Sequence, residues 1–213
     1  MLRLRVTDLD QWVRFLEPAL PEFEVPLEDF IAYMRRETAE TPDMLAGRAF
    51  HSWLQFAEPG DVRDEIDSEG FTFRFGCDCV LALPERREES VAKVYDTPAG
   101  KALLRGRVDG WDPGCVIDYK LTLGQFDAER YAGSLQWKAY LDMAGERSFR
   151  YLVYQGKRTE QDVFIYDVHD LKLWAYPEMG GEVERRVAEL AGFVATYVPE
   201  LVEADPEPLL TRP

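Results

Sequence analysis

Gly106-Arg107-Val108-Asp109 and, after a short turn, Val116-Ile117-Asp118-Tyr119-Lys120 form the stretch on which the reading of this chain depends. Ala102 to Asp109 reads as a strand running into Trp111-Asp112-Pro113-Gly114, where proline fixes φ and glycine accepts a positive φ. Cys115 to Leu121 is short, apolar at its start and bounded by that turn, which predicts a mostly buried strand. Side chains alternate along a strand, so Asp118 and Lys120 emerge on one face and Ile117 and Tyr119 on the other. The hairpin is expected to bring Asp109 alongside Asp118. Two carboxylates converging from adjacent strands, with an ammonium two residues on, predict a Mg²⁺ site with a charge-stabilising partner. The plainer reading makes each acid a strand-end residue paired with Lys120 or Arg107. An acid late in an apolar strand is costly to bury without a cation or metal, and this favours the chemical reading. Asp112 is read as a turn residue.

Outward from the hairpin, Thr7 or Asp8 can cap a helix to about Glu17, with Leu9, Trp12, Val13 and Leu16 at helical spacing. Pro18 and Pro21 break the chain, and Pro26 opens a second amphipathic helix carrying Leu27, Phe30, Ile31 and Met34. Thr41, Pro42 and Asp43 give the best start signal, for a third helix to about Ala57 that Pro59-Gly60 ends. Strands are predicted near Phe71–Phe75, Cys79–Leu83, Ser90–Tyr95, Ala102–Asp109 and Cys115–Leu121. A helix from about Ala128 to Met143 follows, then strands Phe149–Tyr154 and Asp162–Val168, then a long helix from about Gly181 to Val202. This order predicts an α/β (α+β) fold with a central mixed β-sheet flanked by helices. One domain is expected over 1–213, with a helical part at 1–60, a core at 70–170 and a C-terminal helical segment at 177–203. The acidic tail after Glu203 is expected to fray.

Hydrophobic content of 46% with 13% aromatics supports a folded core. No apolar run approaches the roughly 20 residues that span a bilayer, and Met1-Leu2-Arg3-Leu4-Arg5-Val6 lacks the apolar core of a signal peptide. Cys77, Cys79 and Cys115 are sparse and odd in number, which favours a reducing cytoplasmic (intracellular) setting over a disulfide framework. Cys77-Asp78-Cys79 has the wrong spacing for zinc or an iron–sulfur cluster, and no second pair completes four ligands. The net charge of −15 speaks against nucleic-acid binding by the surface as a whole. Between Glu88 and Glu160, however, eleven acids face eleven bases, so the excess lies in the flanks and a local basic groove is possible.

Gly-x-x-Asp ending at Asp109, Asp-x-Lys at Asp118 and Lys120, and Gln136-x-x-x-Tyr140 on the next helix resemble the RecB-type branch of the PD-(D/E)XK nuclease superfamily. His51, four residues after Gly47, stands where that branch has a histidine on an upstream helix. The resemblance covers about His51 to Tyr154. It implies that His51, Asp109 and Asp118 hold a divalent metal, with the backbone carbonyl of Tyr119 as a further ligand. Mg²⁺ and Mn²⁺ want oxygen ligands, and Mn²⁺ tolerates imidazole better. Lys120 would orient a metal-activated water or neutralise developing charge; beside an acid and a metal it is no base unless its pKa falls far below ~10.4. Gln136 and Tyr140 share a helix face. Spacing alone would pack Tyr140 with Trp137 and Leu141 and leave Gln136 solvated, whereas the resemblance places both in the cleft. On a helical wheel Leu45, Ala49, Trp53 and Phe56 form a stripe, with His51 nearly opposite, beside Gly47 and Leu54. Alone it reads equally as a structural residue; beside the acid pair it reads as a ligand. With only His51 and His169 in the chain, an all-histidine metal site is excluded. Arg130, Lys138, Lys157, Arg158 and Thr122 are candidates for phosphate contacts.

The resemblance thus implies a free-standing Mg²⁺/Mn²⁺-dependent deoxyribonuclease acting on single- or double-stranded DNA, more in the manner of an exonuclease than an endonuclease. Small stand-alone relatives of this kind occur in phages and prokaryotes, in DNA recombination and repair. Cysteines that hold an iron–sulfur cluster in several relatives are lacking after Tyr140, so no cluster is expected. No Gly-x-x-x-x-Gly-Lys-Ser/Thr motif is present, so unwinding would fall to a helicase, annealing or recombination partner protein. Two other readings stand beside this one. The fold could be a non-catalytic nucleic-acid- or protein-binding module, as the acidity suggests, or the same site could cut RNA.

Overall fold

The structure, a computed structural model, describes residues 1–18, 23–58, 64–76, 83–84 and 86–202. Its centre is an eight-stranded mixed sheet, so the predicted α/β class with a helix-flanked mixed sheet is the observed one. The strands are β1 (Leu2–Arg5), β2 (Glu65–Ser68), β3 (Phe71–Phe75), β4 (Arg86–Thr97), β5 (Gly100–Asp112), β6 (Cys115–Thr122), β7 (Ser148–Thr159) and β8 (Asp162–Trp174). They lie in the order β1-β5-β6-β7-β8-β3-β2, with β4 paired to β5. β4 and β6 are antiparallel to β5, β1 is parallel to it, and β7 runs parallel to β6. The helices are α1 (Val6–Leu16), α2 (Leu27–Arg35), α3 (Pro42–Phe56), α4 (Ala128–Gly133), α5 (Leu135–Ala144) and α6 (Met179–Tyr197).

Two apolar clusters sit on opposite faces of the sheet. Leu9, Trp12, Phe30, Leu141, Val187 and Leu190 join Leu104, Val108 and Val116 in one, beneath α1, α2, α5 and α6. Phe50 and Leu54 of α3 join Phe73, Ile117, Tyr119 and Tyr154 in the other. The alternation expected for β6 is therefore seen: Val116 faces the first cluster while Ile117 and Tyr119 face the second.

Several boundaries move. The chain starts with a strand, and α1 begins at Val6 because Asp8 sits inside its first turn and accepts the Arg5 N–H at 2.8 Å. β2 escaped the sequence reading, being four residues with only Ile66 buried. The predicted strand Cys79–Leu83 lies outside the described residues except at Leu83. In α3 the buried seam is Ala46, Ala49, Phe50 and Leu54 rather than Leu45, Ala49, Trp53 and Phe56, and Phe56 is 78% exposed. The single helix expected over Ala128–Met143 is two, because Ser134 is extended (φ −63, ψ 143) and caps α5 by accepting the Gln136 N–H at 3.0 Å. β7 and β8 run on to Thr159 and Trp174, since their hairpin pairing continues past the apolar residues. α6 stops at Tyr197 because Val198 precedes Pro199, whose ring disfavours helical backbone in the residue before it.

Candidate active site

The hairpin that opened the sequence reading does form, closed by Pro113-Gly114 with Gly114 at φ 82, a conformation glycine adopts without strain. Its strands part early. β5 and β6 pair only from Gly110↔Ile117 to Asp112↔Cys115. On the same edge of β5, β1 takes Ala102 to Arg105. Between these pairings, Gly106 to Asp109 have no strand partner on that edge among the described residues. Asp109 and Asp118 are thus the first residues past the last pair, at the point where the sheet splits.

Alternation along β5 also slips here. Val108 and Trp111, three apart, both pack on the first cluster. Glu88, which faces Asp109 between the pairs Arg87↔Gly110 and Glu89↔Val108, adopts φ 58. Asp109 is turned into the gap, where its Oδ2 accepts the Tyr119 N–H at 2.8 Å. The Tyr140 hydroxyl donates to the Arg107 carbonyl at 2.9 Å. Two backbone groups exposed by the split are thereby satisfied by side chains of the site itself, as partly buried polar groups require. Gly106 leaves room for this: a Cβ there would lie 2.6 Å from the Tyr140 ring and 2.9 Å from Val6.

Asp118 is 3% exposed. Its Oδ1 accepts from Gln136 Nε2 at 3.0 Å, and Lys120 Nζ lies 2.7 Å from Oδ2. The Lys120 ammonium is the partner that Oδ2 meets, and no second group bonds it among the described residues. Burial is the main influence raising the Asp118 carboxyl to about 6; Lys120 opposes it and Asp109 adds to it. Burial also acts on Lys120 by lowering its pKa, but Asp118 and Asp109 outweigh that and hold the ammonium above its ordinary value. On the other side of the split, His51 Nδ1 lies 3.5 Å from Asp109 Oδ2, a loose ion pair. Burial would raise Asp109, yet His51 and Lys120 bring it below the ordinary carboxylate value, and Asp109 in turn raises His51 against its own desolvation.

The residues predicted from sequence therefore collect in two groups joined through β6: His51 with Asp109, and Asp118 with Lys120 and Gln136. Gln136 is buried and bonded to an acid rather than solvated, and Tyr140 is buried with its hydroxyl used. Among the described residues no three His, Cys, Asp or Glu side chains are gathered closely enough to cage an ion by themselves. Arg130 and Thr122 line a cavity of about 490 Å³ with Lys120, Gln136, Arg14 and Tyr151. Lys138 is tied to Glu182 and Arg158 to Asp43, both at 2.8 Å. Asp112 is the last residue of β5, paired with Cys115, and the turn itself is Pro113-Gly114. His169 stacks on Phe126, ring centroids 4.1 Å apart, away from the acid pair.

Two supporting residues were not visible in the sequence. Asp10 of α1 accepts from Leu135 N, Gln136 N and Ser134 Oγ at 2.8, 3.2 and 2.9 Å, fixing the start of α5 and so Gln136. No local pattern marks a contact 126 positions apart, although Ser134 after Gly133 was a readable helix start. Glu88 faces Asp109 and is held by Arg107 Nε at 2.6 Å.

No family model matches the sequence, and no curated protein matches it either. Solved structures share the fold. A candidate exonuclease from Eubacterium rectale superposes with a TM-score of 0.53 at 13% identity, over 94% of this chain and 83% of that one. SSO0001 superposes at 0.51 and 13% identity, over 91% and 77%. LHK-Exo, an alkaline exonuclease from Laribacter hongkongensis, reaches 0.43 at 12% identity, too loose a superposition to argue from. At such identities the likeness speaks for the fold alone.

Proposed function

We propose that this chain is a divalent-metal-dependent deoxyribonuclease, acting as an exonuclease, with the RecB-type site named above. The observation that carries this reading is the placement of Asp109 and Asp118 at the split of β5 and β6, with Lys120 Nζ 2.7 Å from Asp118 and His51 3.5 Å from Asp109. The buried Asp118 carboxylate, met by Lys120 at Oδ2 and by Gln136 at Oδ1, supplies negative charge that a divalent cation at the split would use. The donor set of two carboxylates, the Tyr119 carbonyl and one imidazole suits Mg²⁺ or Mn²⁺, which complete their shells with water and substrate phosphate. Once bound, such an ion supplies a nucleophilic water and charge neutralisation at the phosphorus.

The chain's own residues do the rest. Lys120 keeps its proton, so it stabilises charge developing on the phosphoryl oxygens and does not act as a base. Gln136 holds Asp118 Oδ1 in place, and Tyr140 fixes the backbone of the split through the Arg107 carbonyl. His51 and Asp109 orient each other. The cavity beside Lys120, with Arg14, Arg130 and Thr122 on its walls, accepts the strand to be cut. Labelled single- and double-stranded DNA incubated with Mg²⁺ or Mn²⁺ tests this: wild type cuts, Asp118→Ala does not, and equal rates for the two would end the assignment.

The net charge of −15 favours a second reading as a non-catalytic binding module. Calorimetric titration with Mn²⁺ separates the two. Heat lost on Asp109→Asn supports the nuclease, while no heat from wild type supports the module.

A further inference from the structure

We infer that Arg5, Arg105 and Arg107 form a track that carries the phosphodiester backbone of a nucleic acid along β5 to Asp109. This rests on the nuclease reading for its direction, but not for its binding chemistry. Arg105 and Arg107 are two apart on one strand, and Arg5 is the direct cross-strand partner of Arg105 in the parallel β1–β5 pair. Like charges placed directly opposite in a sheet destabilise it. In a chain with 40 acids and 25 bases, an acid at either position would have removed the repulsion.

The three arginines are exposed, and with Ser90, Thr7 and Tyr140 they line an open groove of about 730 Å³. Ser90 is the cross-strand partner of Arg107 and lines the same groove. Arginine forks with neighbouring hydroxyls are the donor set that phosphate contacts use. The groove reaches the reaction site at Tyr140, whose hydroxyl is bonded to the Arg107 carbonyl, and Asp109 follows two residues later. Arg105 and Arg107, two apart on one strand, stand ~6.7 Å from each other, and Arg5 flanks Arg105 on the neighbouring strand, so three cations lie within reach of adjacent phosphates.

Charge pairing along the row is graded. Arg105 has no ion pair among the described residues. Arg5 Nε is a loose 3.6 Å from Asp8 Oδ1, whereas Arg107 Nε is held by Glu88 Oε2 at 2.6 Å. Glu88 therefore competes with phosphate for Arg107. Removing its charge should strengthen binding, while removing the arginines should weaken it.

The test is fluorescence anisotropy in chelator, with a labelled oligodeoxythymidylate and a duplex of equal length, across a salt series. Arg105→Ala/Arg107→Ala should bind at least ~10-fold more weakly at low salt, with the salt slope reduced by about 1.4 for the single strand and about 1.8 for the duplex on loss of two contacts. Glu88→Gln should bind more tightly, an outcome that a misfolded variant would not give. Arg74→Ala, whose partners are Glu65 and Asp162 at the far edge of the sheet, serves as the remote control. Wild-type affinity and slope in both groove variants, or no binding of either probe by wild type, would overturn the track. Cleavage by the same preparations in Mn²⁺ reports on the nuclease reading separately. A protein that binds through these arginines yet never cuts keeps the track and loses the nuclease. One that cuts with unaltered binding in the groove variants does the reverse.

Discussion

Asp118→Asn should abolish cleavage while making the metal-free protein more stable at neutral pH. The carboxyl is 3% exposed, and burial, opposed by Lys120 and reinforced by Asp109, takes its pKa from 3.8 to about 6. A group whose folded pKa lies above its unfolded value contributes stability that is full below the unfolded value and lost as pH rises through the folded one. Here the loss begins near pH 4 and is complete a little above pH 6. The interval corresponds to about 3 kcal/mol at 1.36 kcal/mol per pH unit. Asp118 and Lys120 share one interaction, so about 1–3 kcal/mol is the range expected for removing the charge with an isostere. For a domain of this size that is several degrees in Tm, at ~2–4 °C per kcal/mol. Thermal and urea unfolding in chelator, from pH 4 to pH 8, would show Asp118→Asn and wild type equal at the acid end and diverging through pH 6. Mn²⁺ should then stabilise wild type and not the variant, by about 2.7 kcal/mol at a hundredfold excess over Kd. A variant less stable than wild type at pH 7, or a gap that does not change with pH, would refute the reasoning.

Tyr140→Phe removes the donor to the Arg107 carbonyl at 2.9 Å and should lower stability by about 1 kcal/mol, with a fall in kcat at unchanged KM; unfolding and steady-state assays check both. Gly106→Ala puts a methyl 2.6 Å from the Tyr140 ring and 2.9 Å from Val6, and should destabilise by ~1–3 kcal/mol, read by the urea midpoint. Asp8→Ala strips a fully buried carboxylate of its bonds from Arg36 Nη1 and Nη2 (2.8 and 2.7 Å) and from the Arg5 N–H (2.8 Å). Because Arg36 is partly solvated, about 2 kcal/mol is the expected loss, measured the same way, and cleavage per folded molecule should not change.

Strands with strong turn signals and helices with strong start signals were legible in the sequence. α3 begins at Pro42 behind its Thr41 cap, and β6 begins at Cys115 after Pro113-Gly114. What the sequence concealed was set by distant partners. β1 is four residues whose pairing with Ala102–Arg105 lies about a hundred positions away in the chain. The α3 seam turned because β6, β7 and β3 chose which residues of the helix to cover, burying Phe50 against Phe73 and Tyr154 and leaving Phe56 outside. The candidate site could be named from residue types and chain order alone. The wiring around it was not: neither the bond from Asp109 to the Tyr119 N–H nor the anchoring of α5 by Asp10 has a local sequence pattern.

The split between β5 and β6 connects these observations. A sheet that parts leaves backbone N–H and C=O groups unpaired, which is unfavourable unless something else bonds them. Asp109 and Tyr140 do so at Tyr119 N and Arg107 O. Replacing either therefore disturbs the scaffold as well as the chemistry, and loss of activity alone cannot assign their roles. Asp118 differs because it bonds no backbone group among its described contacts; Gln136 and Lys120 meet it with side chains. Its burial is unfavourable to its charge, and Lys120 offsets that only in part. A fold under selection for stability alone would have little reason to keep a charge there, and the proposed cation-dependent reaction would supply one. That asymmetry makes Asp118, not Asp109, the position at which stability and catalysis should move in opposite directions.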